Sequence, residues 1–483
     1  MSKFSHIPLG QTLPIDNIHA VSVSMPTLQD VIGYEECDEE VCDKIKSAYP
    51  RFVLHPYLKL LADFIREKYQ VDPLYEIVLL SSKKAVEVVS SKYYIHNPID
   101  IDEPFGVILV LRGRQLKNVL SFIQHVGANL SSRFAEDYLF ENGMIDKKHK
   151  EDIDLVDPDN KVINTLADAY GVDSNGIKLT PSGMNAMYAA LKGVKALGTK
   201  NGRNILVQFG WLYLDTMNIV EHYFNRSKLI YDVEAINQLE EYLKENGLQV
   251  SAIVTEYPTN PLLKKPNLKR LRQLCNKYNI PLILDSTFAT AYNDDIKDIA
   301  DIYVESLTKF ACGSADVLMG AIILNDKSKY TFIKNEYLKH CDSVYLKDSA
   351  RLALEIKDYK SRVDQCMKNT KELVEFFNSS PAIEKVFYAT YDDSSFCPVI
   401  SIKFKKDFQK NYDSLNFAKG PSLGTEFTLL MPYTYLAHYD YIGNKKGEEF
   451  LDSVGLPVDL LRISVGIEDI KDIIAEFKRV LNQ

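Results

Sequence analysis

From residue 177 to about residue 325 the chain repeats one pattern, and that pattern limits what it can fold into. Short apolar runs, NILVQFG, VSAIVTEYP, IPLILDST, DIYVESL and GAIILN, alternate with helix-like segments such as NLKRLRQLCNKYN. Runs that are apolar throughout have no face to offer water. The alternation therefore predicts an α/β unit, a mainly parallel sheet with helices on both faces. In such sheets ligands bind beyond the carboxyl ends of the strands. That rule selects which polar residues matter.

The flanking regions read differently. The first fifty or so residues are mixed and turn-rich, and residues 57–69, YLKLLADFIREKY, space their apolar positions as an amphipathic helix does. Two strand-like runs follow, YEIVLLSS and FGVILVLRG, each leading into a helix-like stretch. Beyond the central unit come a helical stretch over 347–377, strand-like KVFYATYDD, PVISIKFKK and LLRISVGIED, and the terminal helix-like DIKDIIAEFKRVL. A chain of 483 residues exceeds one typical domain. The expected division is an N-terminal segment (1–69), a small α/β insertion (70–145), a large domain (146–345) and a C-terminal α+β domain (346–483).

Bulk properties exclude several functions. A formal net charge of -9 argues against nucleic-acid binding, which needs a basic surface. Seven scattered cysteines include no C-x-x-C pair, and the nine histidines form no metal-ligand cluster, so reduced thiols in the cytoplasm and no metal are expected. No apolar run is long enough to cross a bilayer, and the N-terminus lacks the apolar core of a secretory signal. No G-x-G-x-x-G follows an early strand, and GVKALGTK lacks the G-K-[ST] ending of a phosphate loop.

The strand ends carry the chemistry. VSAIVTEYP runs into Thr259, Asn260 and Pro261; IPLILD ends at Asp285; DIYVE runs into Ser306, Leu307, Thr308 and Lys309. A helix opens at Pro181-Ser182-Gly183-Met184, where free backbone N–H groups and the helix dipole suit a phosphate. A phosphate site, a carboxylate, an amide and a lysine form the set that pyridoxal phosphate (PLP) requires: an anchor, a partner for the pyridine nitrogen, and a Schiff-base amine.

The segments TPSGMNAMYAAL, EYPTNPLLKKPNL, PLILDSTFAT, VESLTKFACGSADVLMGAI, GPSLGTEFTL and LRISVGIED, in that order, resemble the Cys/Met-metabolism PLP-dependent enzymes of fold type I. Within that family the N-terminal α/β segment is most like the fungal-type cystathionine γ-synthase-like proteins. The resemblance implies Lys309 as Schiff-base lysine and proton shuttle, Asp285 on the pyridine nitrogen, and Asn260 on the ring hydroxyl. Ser182, Gly183, Met184, Ser306 and Thr308 are implied at the phosphate. Arg462 is implied at the substrate α-carboxylate, and Ser422 beside lysine and substrate. Tyr49 and Arg51, in YPRFVLHP, resemble a pair that reaches a neighbouring subunit's phosphate, which implies a homodimer or homotetramer with shared sites.

Two departures stand out. The family's ring-stacking tyrosine aligns with Phe209, with Trp211 and Tyr213 nearby, and Ser314 replaces a usual histidine. The resemblance implies γ-replacement on an activated homoserine ester by cysteine, giving cystathionine. The rivals are elimination by a cystathionine or methionine lyase, an O-acylhomoserine sulfhydrylase, and a binding protein that has lost turnover.

Overall fold

The computed structural model describes residues 3–46, 53–392 and 395–481, and the structural statements here concern those residues. The alternating region forms a seven-stranded sheet. Its order is Ile177–Thr180, Gly320–Leu324, Ile302–Glu305, Leu282–Asp285, Val250–Glu256, Ile205–Phe209, Ser227–Ile230. The last five strands in that order pair parallel, while Gly320–Leu324 runs antiparallel to both neighbours. The expected mainly parallel sheet is therefore present. The edge strand Ser227–Ile230 has two exposed residues and lacks the apolar run by which the others are recognised.

Period-two alternation sends each strand's side chains into two separate cores. Leu206, Val254, Ile283, Ile302 and Val304 face one layer, together with Ala186, Ala189 and Ala190 of the helix Gly183–Lys200. Ile205, Val207, Phe209, Ile253, Leu284 and Tyr303 face the other. By the same parity Asp285 and Ser306 fall on the side of the helix Gly183–Lys200, and Glu305 falls on the opposite side.

A second, five-stranded sheet has the order Ile383–Phe387, Val399–Phe404, Leu460–Ser464, Leu429–Pro432, Ala418–Lys419. The helices Tyr359–Ser379 and Ile470–Leu481 contribute Phe377 and Phe477 to its core. This is the smaller C-terminal α+β unit.

The insertion is a two-stranded antiparallel ribbon, Tyr75–Leu80 with Gly106–Leu111, carrying the helices Lys83–Tyr93, Arg114–Val126 and Ser132–Glu141. It is not a free appendage. Phe122 and Val126 share a core with Met187, Tyr188 and Leu206 of the large domain. The helix Pro56–Tyr69 joins it from the other face, through Leu58, Leu61 and Ile65 against Ile77 and Leu79.

Candidate active site

Lys309, Asp285, Asn260, Ser306, Gly183, Met184, Ser422 and Arg462 all line one cleft. Three strand ends, one helix start and the C-terminal sheet supply them. The large sheet places Asp285 at the last position of Leu282–Asp285, and Ser306 immediately after Ile302–Glu305. A short relay links the two: the Thr287 N–H donates to Asp285 Oδ1 at 3.0 Å, and the Ser306 N–H donates to Thr287 Oγ1 at 3.0 Å.

The helix start lies against this strand end. A Cβ on Gly183 would come within 2.8 Å of Ser306 Cβ, so only glycine permits the approach. The result is a cradle of N-terminal backbone N–H groups beside a serine hydroxyl, which can hold a phosphate.

Lys309 is half-buried, and its Nζ donates to Ser422 Oγ at 2.8 Å. Burial first, and the nearby Arg462 second, lower its pKa to about 7. The loop that brings Ser422 to it is tightly constrained. Ser422 has φ 90°, a left-handed conformation that non-glycine residues avoid. A Cβ on Gly424 would sit 2.6 Å from Phe310 N and 2.9 Å from the Lys309 carbonyl carbon.

Arg462, on Leu460–Ser464, reaches across from the second sheet. It donates to Asn260 Oδ1 at 3.1 Å and to the Ser422 carbonyl at 2.7 Å, with its guanidinium 5.2 Å from the centre of the Tyr433 ring. Burial pulls its pKa down to about 10. Burial likewise pushes Asp285 above the ordinary carboxylate range, with the Thr287 hydrogen bonds opposing. A carboxylate disfavoured by burial and a lysine disfavoured as a cation suit a ligand that brings its own cationic ring nitrogen and an aldehyde. The residues present fit PLP.

Three expected contacts fall elsewhere. Phe209 is fully buried and shares the face of Ile205 and Val207, so strand parity turns it into the core and away from the cleft. Trp211 packs on Tyr231, His438 and Phe450. Tyr213 is the aromatic of this stretch that lines the cleft, its N–H donating to the Glu256 carboxyl group. The Ser182 hydroxyl caps the Asn185 N–H and donates to the Gly127 carbonyl of the insertion at 2.9 Å. The Thr308 hydroxyl exchanges hydrogen bonds with the Met319 backbone. Both hydroxyls are thus engaged by backbone groups. Tyr49 and Arg51 lie outside the described residues.

Glu256 is the residue the sequence reading passed over. It lines the cleft as the last residue of Val250–Glu256, in register with Asp285, and burial followed by that neighbour pushes its carboxyl well above the usual range. Its position at a strand end was the available signal.

Comparison with known proteins agrees with this geometry. Residues 160–482 match the model of the family described as Cys/Met metabolism PLP-dependent enzyme. An L-2-amino-4-chloropent-4-enoate dechlorinase/desaturase from Streptantibioticus cattleyicolor is 34% identical over 489 residues, covering 96% of each chain. A cystathionine gamma-synthase from Neurospora crassa is 26% identical, covering 98% of each. The crystal structure of a cystathionine gamma synthase from Xanthomonas oryzae pv. oryzae superposes with a TM-score of 0.58 at 19% identity, over 68% of this chain and 86% of that one. The fold is that of fold-type-I PLP enzymes. With the strand-end lysine, the carboxylate behind it and a phosphate cradle in one cleft, this chain belongs to the Cys/Met-metabolism family of PLP-dependent enzymes.

Proposed function

We propose that the enzyme releases the γ-substituent of an α-amino acid, Lys309 being the residue that attaches PLP and then moves the substrate's protons. The carrying observation is the hydrogen bond from Lys309 Nζ to Ser422 Oγ, inside a cleft that also holds Asp285 and Arg462. When bound, PLP supplies an electron sink for the substrate α-carbon.

The chain's own groups do the rest. Arg462 receives the α-carboxylate through its fork of N–H donors, which orients the α-hydrogen towards Lys309. Near-neutral pKa lets Lys309 Nζ take that proton and return it at the γ-carbon side, with Ser422 Oγ holding the amine in place. Asp285 would keep a proton on the cofactor's ring nitrogen, and Asn260, which accepts from Arg462, would face the ring hydroxyl. Gly183, Met184 and Ser306 hold the phosphate. Tyr213, which lines the cleft where Phe209 does not, would be the aromatic to lie against the cofactor ring.

Two endings are open to the same steps. Replacement of the γ-substituent of an activated homoserine ester by cysteine gives cystathionine, as the name of the Neurospora relative suggests. Elimination, favoured by the 34% identical dechlorinase/desaturase, instead loses the γ-substituent together with a proton from the β-carbon, and water then releases the unsaturated product as ketoacid and ammonia with no second amino acid required. The reading includes a cytoplasmic homo-oligomer in which Tyr49 and Arg51 reach a neighbour's phosphate. Its support is the resemblance of YPRFVLHP to the family's Y-x-R pair and the seven free cysteines, five of them buried.

The test is the visible spectrum. Purified protein incubated with PLP is expected to turn yellow and to lose the colour on borohydride reduction, while Lys309→Ala lacks the reducible adduct and loses turnover by on the order of 10^3-fold or more. A colourless wild type, or an active Lys309→Ala, overturns the proposal. Product analysis separates the endings: ketoacid and ammonia for elimination, cystathionine for replacement.

A further inference from the structure

The cleft has an apolar part besides its polar groups. The helix Tyr433–Ala437 starts at the ring that lies against the Arg462 guanidinium. Leu436 and Ala437 follow at three and four residues, so they share the face of Tyr433. All three line the cleft, as do Leu214, Leu423 and Met431. Leu436 is only 3% exposed and Met431 only 6%. A substrate side chain in this cleft therefore meets apolar walls, and Met431 Sδ itself lies 3.1 Å from the Arg462 guanidinium.

The two cationic groups among the described lining residues are Lys309 and Arg462. The proposed function commits one to the cofactor and the other to the α-carboxylate. A second carboxylate, at the end of the side chain, would have to shed its water against leucine and methionine, which strongly disfavours it. An uncharged chain of the same length gains from the same burial.

We infer that the side-chain wall formed by Leu214, Met431, Leu436 and Ala437 selects amino acids whose γ-end is uncharged and compact. This inference rests on the proposed function and narrows its substrate class. Neutral esters, thioethers and similar leaving groups fit; substituents ending in a carboxylate are rejected. A cysteine entering the same space also brings a carboxylate, so loss of the γ-substituent is favoured over replacement by cysteine.

Binding to the PLP-loaded enzyme tests this with two unreactive amino acids of equal length, L-norvaline and L-glutamate. Their apparent dissociation constants are read from the change in cofactor absorption, and exchange of the α-proton in deuterated water gives a second readout. Norvaline is expected to bind at least tenfold tighter than glutamate. Leu436→Arg is expected to shrink or invert that ratio, and Leu214→Arg, at a half-buried position, provides a second variant should the first not fold. Equal binding of the two ligands by the wild type overturns the inference while leaving the parent reading intact, as does an unchanged ratio in a folded arginine variant. If neither ligand alters the spectrum or exchanges its proton, the parent reading fails, and the inference with it.

Discussion

Two of the buried arginines among the described residues, Arg133 and Arg462, are treated in opposite ways. At the seam between the insertion and the large domain, Arg133 is 1% exposed. Its guanidinium donates twice to the Glu151 carboxylate, both at 2.7 Å, once to Asp348 at 3.1 Å and once to the Asp316 carbonyl at 2.9 Å. Burial alone would lower its pKa, but these carboxylates more than reverse the effect and hold the charge. In the cleft, Arg462 is 4% exposed, yet its hydrogen-bond partners are an amide oxygen, a carbonyl and a thioether, and burial lowers its pKa to about 10. Compensated burial is structural. Burial without an opposite charge is poised for a ligand that carries one.

The sharpest way to break this comparison is Arg133→Met, which takes from the Glu151 and Asp348 carboxylates their shared guanidinium. Removing one partner of a buried ionic group costs about 3–5 kcal/mol, so the thermal midpoint is expected to fall clearly. Turnover per folded molecule should stay unchanged. A variant with normal stability and lost activity would reverse the assignment of the two arginines. Arg462→Lys should do the converse. Loss of the planar fork removes a charged hydrogen bond, worth about 1.5–3 kcal/mol, and lowers kcat/KM by roughly 10- to 100-fold with little change in thermal midpoint.

The smallest effect is in pH. Lys309, lowered to about 7, is neutral above that value and protonated below it. Attachment of PLP to the apoprotein requires the neutral amine, so its rate should fall about tenfold per unit below pH 7 and level off above about 8. An exposed lysine would keep gaining up to pH 10. Arg462→Met should move the midpoint upward, because the second cause of the depression is then gone. A midpoint that stays near 10 in the wild type would show that the Lys309 amine is not desolvated as described.

The cleft was legible to the extent that strand ends are legible. Asp285, Asn260, Ser306 and Lys309 each follow an apolar run, and the carboxyl-end rule needs no more than that. Gly183 could be anticipated from the helix start, and its contact with Ser306 supplies the reason. Phe209 shows where alignment fails: its place in the stretch VQFGWLYLDT is right for a stacking ring, but its parity with Ile205 and Val207 is set by the strand, and points it inward. Tyr213, past the strand and free of that parity, reaches the cleft. Ser182 and Thr308 carry the expected hydroxyls, but neighbouring backbone groups claim both.

The insertion shows the same limit. Its strands and helices are periodic enough to predict, whereas its docking is not. Nothing in the segment 105–127 announces that Gly127 will accept a hydrogen bond from Ser182. The strand Ser227–Ile230, exposed at a sheet edge, was invisible for the converse reason: it buries too little to leave an apolar signature.

Taken alone, the sequence determined what depends on neighbours along the chain: which runs are strands, which stretches are helices, and which polar groups stand at strand ends. These follow from side-chain periodicity and local steric preference. Tertiary structure alone decided the chemistry of the site. Arg462 meets Asn260 across 202 residues of chain, Ser422 meets Lys309 across 113, and only that convergence excludes the water that would otherwise leave both cations at their ordinary pKa. Desolvation belongs to the packed cleft as a whole, so no local pattern can encode it.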